Sequence, residues 1–232
     1  MKKTTLALAL AAIAIAPSAF AYEKGDMLVR GGLTTVAPDD SSSNILVGGA
    51  DFALGGQTVG GVNVDNNTQL GLNFAYFFAD NWNVEVLAAT PFSHDIGIGG
   101  GINLGSTKHL PPTVTANYFF ADKDAQFQPY VGVGLNYTIF FDEEFNGATV
   151  DVIEGATGGA VISDLDLDAS LGFSVQVGAD YFIDKNMFIN ASVRYIDIET
   201  EASFKVNGSD LGKIDTVTID PWVYTISVGY KF

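Results

Sequence analysis

Large apolar residues recur at every second position in eight stretches of this 232-residue chain. Leu70, Leu72, Phe74, Tyr76 and Phe78 alternate with Gly71, Asn73, Ala75 and Phe77. Val84, Val86 and Ala88 oppose Glu85, Leu87 and Ala89, and Val114, Ala116, Tyr118 and Phe120 oppose Thr113, Thr115, Asn117 and Phe119. The same period runs through 131–139, 167–181, 187–195 and 222–232, and more weakly through 27–36. Alternation over about ten residues is the mark of a transmembrane β-strand, with one row against lipid and the other lining a lumen.

A secreted β-sandwich alternates too, so other features must separate the two. Here the apolar rows hold large residues along nearly the whole strand, while the opposite rows are small or polar, as a narrow lumen requires. Aromatics gather at strand ends (Phe77-Phe78, Phe119-Phe120, Phe140-Phe141, Tyr181-Phe182), where interfacial girdles are expected. The connections alternate in length: 80–81, 122–126 and 184–186 are short, whereas 37–67, 93–108, 142–163 and 201–215 are long. A chain ending on Phe232 within a strand fits the same reading. The expected fold is all-β, an eight-stranded antiparallel transmembrane barrel with short periplasmic turns, long extracellular loops and both termini in the periplasm.

The N-terminus supplies the route. Lys2 and Lys3 precede an apolar run at 6–16, Pro17-Ser18 breaks it, and Ala19-Phe20-Ala21 has the small-x-small form cut by signal peptidase. Residues 1–21 therefore read as a cleaved signal peptide and 22–232 as the barrel, delivered to a bacterial outer membrane. No later stretch is long and apolar enough to be a spanning helix.

Composition excludes other classes. The net charge is −16 with only 11 Lys and Arg, so a nucleic-acid partner is not expected. Zero cysteines remove disulfides, thiol chemistry and iron–sulfur clusters. No cofactor or metal site is expected. Ser93 and His94 are neighbours on an extended chain and point apart, which argues against a nucleophile–base pair and against an enzyme. Asp164, Asp166 and Asp168 resemble half of a calcium loop, but Ala169 and Val175 stand where the glycine and the last glutamate are needed. Those acids are expected above the bilayer, near divalent cations that bridge lipopolysaccharide. Gly99-Gly100-Gly101 reads as a loop tip.

An eight-stranded barrel is wide enough only for side chains or one small ligand. Strand parity points Arg30, Glu85, Asp180, Arg194 and Lys231 inward, most of them near the periplasmic end. Opposite charges in so narrow a space should pair, which predicts a polar plug in the periplasmic half. Higher up, Leu87, Ala89, Thr113 and Thr115 face inward. Loop 1 carries Ile45, Leu46, Val47, Phe52, Ala53 and Leu54, which would either fold over the mouth as an apolar funnel or simply pack on one another. Pro91 ends the third strand and Pro111-Pro112 starts the fourth. Lacking N–H groups, they would either open a gap between two strands that should pair or merely stop those strands at the rim.

The segments Asn67-Thr68-Gln69-Leu70-Gly71-Leu72, Val84-Glu85-Val86-Leu87-Ala88-Ala89-Thr90-Pro91-Phe92, His109-Leu110-Pro111-Pro112-Thr113, Pro129-Tyr130-Val131-Gly132, Gln176-Val177-Gly178-Ala179-Asp180-Tyr181 and Asp220-Pro221-Trp222-Val223 resemble, in order, the OmpW family. The resemblance implies a hydrophobic channel closed below and opening sideways through the wall. It also implies uptake of small hydrophobic molecules, or small amino acids in some members, and service as a bacteriocin receptor. By that resemblance Leu87 matches the channel floor, and Pro91, His109, Pro111 and Pro112 fall in the lateral-opening region. Leu171 aligns where a tryptophan sometimes joins that leucine in the constriction, although strand parity points Leu171 outward. The expected partners are outer-membrane lipid and lipopolysaccharide, a small hydrophobic solute and a bacteriocin or phage. The alternative function is a non-transporting surface barrel acting in adhesion, reception or envelope stress.

Overall fold

The computed structural model describes residues 22–99, 101–122 and 125–232. The signal segment 1–21 lies outside the described residues, as do Gly100 at the expected glycine loop tip and part of the 122–126 turn.

Eight strands close on themselves: β1 (Met27–Ala37), β2 (Asn67–Ala79), β3 (Trp82–Ala89), β4 (Thr113–Phe119), β5 (Phe127–Phe145), β6 (Ser170–Phe182), β7 (Met187–Ile196) and β8 (Trp222–Lys231). Each pairs antiparallel with its sequence neighbours, and β1 closes on β8 through a register running from Leu28↔Lys231 to Ala37↔Trp222. Closure leaves the sheet without a free edge strand, which is the condition for a sheet to span a membrane. The outward rows, such as Leu33, Leu70, Leu72, Val133, Leu135 and Ile226, are exposed along the whole wall. Asn81, in the left-handed region at φ 66°, makes the tight β2–β3 turn.

Of each expected girdle pair, only one member faces out. Phe77, Phe119, Phe140 and Phe182 are buried inside the barrel. A strand sends neighbours to opposite faces, so two adjacent aromatics cannot both reach the interface. Phe77, Phe119 and Phe182 instead form a cluster with Tyr22, Tyr130 and Phe188 at the periplasmic end, where Tyr22 stacks on Phe77 with centroids 4.4 Å apart.

The long connections are largely ordered. Phe92–Ile98 and Ile102–Leu110 make a hairpin that continues the wall upward, and the second of these pairs with the top of β5. Ile162–Leu167, Glu199–Val206, Ser209–Thr218 and short loop 1 strands build a second sheet above the mouth. Helix α1 (Gly147–Thr157) lies beside it, capped by the Asn146 side chain, which accepts from the Ala148 and Thr149 amides, and ended by left-handed Gly158. One apolar core links these loops to the upper lumen, running from Ile45, Ile153 and Phe204 down to Val36, Phe92 and Val223.

Candidate functional site: the lumen and the seam between β3 and β4

The lower lumen is filled by charged side chains in one connected set. Arg30 on β1 reaches Glu85 on β3 at 2.7 Å and Asp180 on β6 at 2.8 Å, and Arg194 on β7 reaches the other Glu85 oxygen at 2.6 Å. Two cations and two anions meet, so the cluster is neutral overall. Amides complete it: Gln176 accepts from Arg194 at 2.6 Å and donates to Asn117 at 2.6 Å, Asn117 donates to Asn83 at 2.9 Å, and Asn190 donates to Asp180 at 2.7 Å. From below, the Tyr22 hydroxyl donates to Asp180 at 2.5 Å. Burying such charges is tolerable because each has an opposite partner and Arg30 also lies over the rings of Tyr130 and Phe188, although Arg30 Nε and Arg194 Nη1 make no hydrogen bond.

Lys231 stands apart from this set. It lies at the periplasmic rim, 3.8 Å from Asp26 and over the rings of Tyr22 and Phe182. Parity placed it correctly on the inner row, but the last residue pair of a strand sits below the plug.

Above the ion pairs the lining turns mostly apolar, its buried Thr34, Thr113, Asn136, Thr138 and Thr225 being hydrogen-bonded among themselves. Leu87 is buried and faces a small cavity of about 10 Å³ together with Ala89, Val36, Ile196 and Val223. Leu171 is 73% exposed and sits on the lipid-facing row of β6. It does not line the lumen, so the level of Leu87 is shared with other residues and the expected Leu87–Leu171 constriction is corrected. No bulge interrupts the β5–β6 register from Phe127↔Tyr181 to Thr138↔Ser170, so Leu171 stays on the outward row that its parity assigns. Higher still, a wholly apolar cavity of about 60 Å³ lies beneath the loops, lined by Ile45 and Phe52 from loop 1, Ile153 from α1, and Ile162, Phe204 and Ile214 from the outer strands. Loop 1 is thus folded into the mouth.

The wall between β3 and β4 is interrupted. Pairing ends at Leu87↔Thr113 and resumes at Phe92↔His109. The stretch between holds Pro91 on one side and Pro111 and Pro112 on the other, and prolines have no N–H for the ladder. The freed carbonyls find other donors: the Thr113 hydroxyl donates to the Pro111 carbonyl at 3.0 Å, and the Tyr137 amide and Asn136 side chain donate to the Pro112 carbonyl at 3.1 and 3.3 Å. On the other flank the Thr90 amide still donates to Leu70 at 3.1 Å. Beyond Thr90 the β2–β3 ladder lapses as well, resuming at Val64↔Ile96, and Leu87, His109 and Pro111 line the cavity beside the β3–β4 seam.

His109 and His94 face inward on the hairpin directly above the seam, with ring centroids 4.9 Å apart and planes at 16°. Their outward neighbours Ser93, Asp95 and Lys108 are polar, with Lys108 paired to Asp142 at 3.0 Å, which sets this hairpin above the bilayer. Burial lowers the pKa of both rings, that of His109 to about 3 with repulsion from His94 adding to it. Ser93 points out while His94 is buried, so the two make no catalytic pair.

Sequence reasoning missed Tyr22, the inward phenylalanines and α1. The Asn146 cap and the Gly158-Gly159 stop were visible signals for the helix.

The OmpW family model matches residues 23–232. Outer membrane protein W of Vibrio cholerae is 47% identical, with all of both chains covered. The crystal structure of the outer membrane protein OprG from Pseudomonas aeruginosa superposes with a TM-score of 0.79 at 38% identity, covering 93% of this chain and 99% of that one. A more distant relative over the full length of both chains, at 27% identity, is the dibenzothiophene metabolism operon protein PahQ of Pseudomonas aeruginosa. With a closed eight-stranded barrel, a charged lower lumen and these matches along its length, the chain belongs to the OmpW family of outer-membrane proteins.

Proposed function

We propose that the chain is a passive conduit for small hydrophobic molecules that admits them among the loops and releases them sideways into the membrane. One observation carries this reading: the β3–β4 ladder lapses beside three prolines at the foot of the apolar column, and Leu87, His109 and Pro111 line the cavity there. An apolar solute moves down that column without losing contact with apolar surface, and lipid beyond the wall is an equally good solvent for it. Going straight down would require it to part the Arg30–Glu85–Arg194 and Arg30–Asp180 pairs, at a cost of several kcal/mol. The lower lumen thus acts as a closed floor. The relative named for a dibenzothiophene operon fits an apolar, aromatic class of solute. No reaction is assigned to the protein.

Uptake of a labelled small apolar compound by cells with and without the protein tests this, with a Pro111→Ala/Pro112→Ala variant beside it. Faster uptake that the variant loses is expected. Faster uptake that survives the variant removes the seam as the exit. Equal uptake with and without the protein overturns the conduit and leaves the loops, with their adhesion or bacteriocin-receptor role, as the functional part.

A further inference from the structure

The upper lumen is mostly apolar, and its buried Thr34, Thr113, Asn136 and Thr138 are hydrogen-bonded among neighbouring groups, whereas two imidazoles stand out. His94 is 2% and His109 5% exposed, and with Phe92 they form three nearly parallel rings; Phe92 and His109 lie 5.4 Å apart at 20°. His94 has a structural task, since its Nδ1 lies 2.6 Å from the Asp65 carbonyl and anchors the end of loop 1. That bond requires the proton on Nδ1, which leaves Nε2 as a bare acceptor, and it is buried with no partner. The His109 side chain makes no hydrogen bond among the described residues, yet it lines the cavity beside the seam. A buried polar edge without a partner costs about 1–3 kcal/mol, and a phenylalanine would fill the same slot without that cost. The bare His94 Nε2 and the unbonded His109 ring beside the cavity offer edges to which a hydroxyl can donate.

Resting on the conduit reading, we infer that His109, stacked on His94, is the hydrogen-bonding element of a transit site for small aromatic compounds carrying one hydroxyl group. The flat side of such a solute lies against the rings of Phe92 and Phe140, and its hydroxyl donates to an imidazole nitrogen. The rings stay neutral at neutral pH because burial disfavours their charged form, so the acceptor lone pairs remain available. The resting cavity there is only about 10 Å³, so the ring enters as the unpaired seam side chains give way. A solute without the hydroxyl meets the same apolar surface but leaves the imidazole edge bare.

Phenol and toluene, nearly equal in shape, are the probes. In proteoliposomes holding the full mature chain, the phenol-to-toluene flux ratio is expected to fall about five- to tenfold on His109→Phe, the worth of one hydrogen bond in a dry site. His109→Gln, which keeps a hydrogen-bonding edge, is expected to restore most of it. A ratio unmoved by His109→Phe while toluene flux still depends on the protein overturns this inference and spares the conduit. Neither flux depending on the protein overturns the conduit itself. Because a variant can fail to fold, the ¹⁵N imidazole resonances of the unmodified protein in lipid nanodiscs give a second readout. Phenol should shift the His109 nitrogens at concentrations where toluene does not, and equal responses to both count against the site.

Discussion

At the scale of single residues, His109 offers the cleanest titration. Its neighbours are His94, Phe92 and Phe140, the carboxylate nearest to the pair is Asp65, 3.6 Å from His94 Nδ1, and Lys108 points away to Asp142. With a folded pKa near 3 against an ordinary 6.5, the unfolded chain takes up a proton that the folded one refuses as pH drops. Stability is therefore complete above pH 6.5 and declines toward pH 3, by at most about 1.4 kcal/mol per pH unit for this ring. His109 should remain neutral by NMR at pH 5, and the urea midpoint should drop between pH 7 and 4.5 by less in His109→Phe than in the parent. In the plug, Glu85 accepts from two arginines at 2.7 and 2.6 Å, so Glu85→Gln leaves buried positive charge unmatched. A loss of about 3–5 kcal/mol is expected in denaturant unfolding from detergent micelles. Parity alone exposed Arg30, Glu85, Asp180 and Arg194 as an inward set, because an inward charge in a narrow lumen stands out against outward leucines. Tyr22 carried no such signal: it precedes the first strand, and only the folded barrel brings it under Asp180.

At the scale of elements, the wall was legible and the superstructure was not. Within the bilayer the outward row must be apolar, so the period is plain. Above it that row turns polar, as at Ser93, Asp95 and Lys108, and the strands Phe92–Ile98 and Ile102–Leu110 read as loop although His94, Ile96 and Ile98 keep the inward alternation. The prolines were legible as a choice between stopping strands and opening a seam. The resumption of pairing at Phe92↔His109 shows a gap with ladder on both sides, not a strand end. Replacing Pro111 by alanine restores a donor toward β3, whereas position 112 faces β5, whose Tyr137 amide donates to its carbonyl. Hydrogen exchange should find the new amide at position 111 protected as the ladder closes across the seam. Fast exchange there would show that the gap is held by something other than a missing N–H group.

At the scale of the whole molecule, the barrel stacks two solvents in one tube, and small residues decide where each begins. Gly178 and Gly229 face the lumen where an added Cβ would overlap the rings of Tyr130 and Phe188, so aromatic mass fits inside the lower barrel only because these wall positions are bare. That mass and the ion pairs occupy the bottom, and the apolar column and loop cavity occupy the top, with the unpaired seam at the boundary. Exit by the seam and exit through the floor then respond oppositely to damage below. Phe182→Ala removes a fully buried ring from the aromatic cluster and should lower unfolding stability by about 3–5 kcal/mol. If solutes leave through the seam, the same variant transports a small apolar compound at the parental rate wherever it remains folded, because no step of the route passes Phe182. If uptake rises instead, and the proline double variant keeps the parental rate, the floor is the exit and the seam only a local break in the ladder. Uptake in both variants, corrected for folded protein by the heat-dependent gel mobility of intact barrels, decides between the two routes.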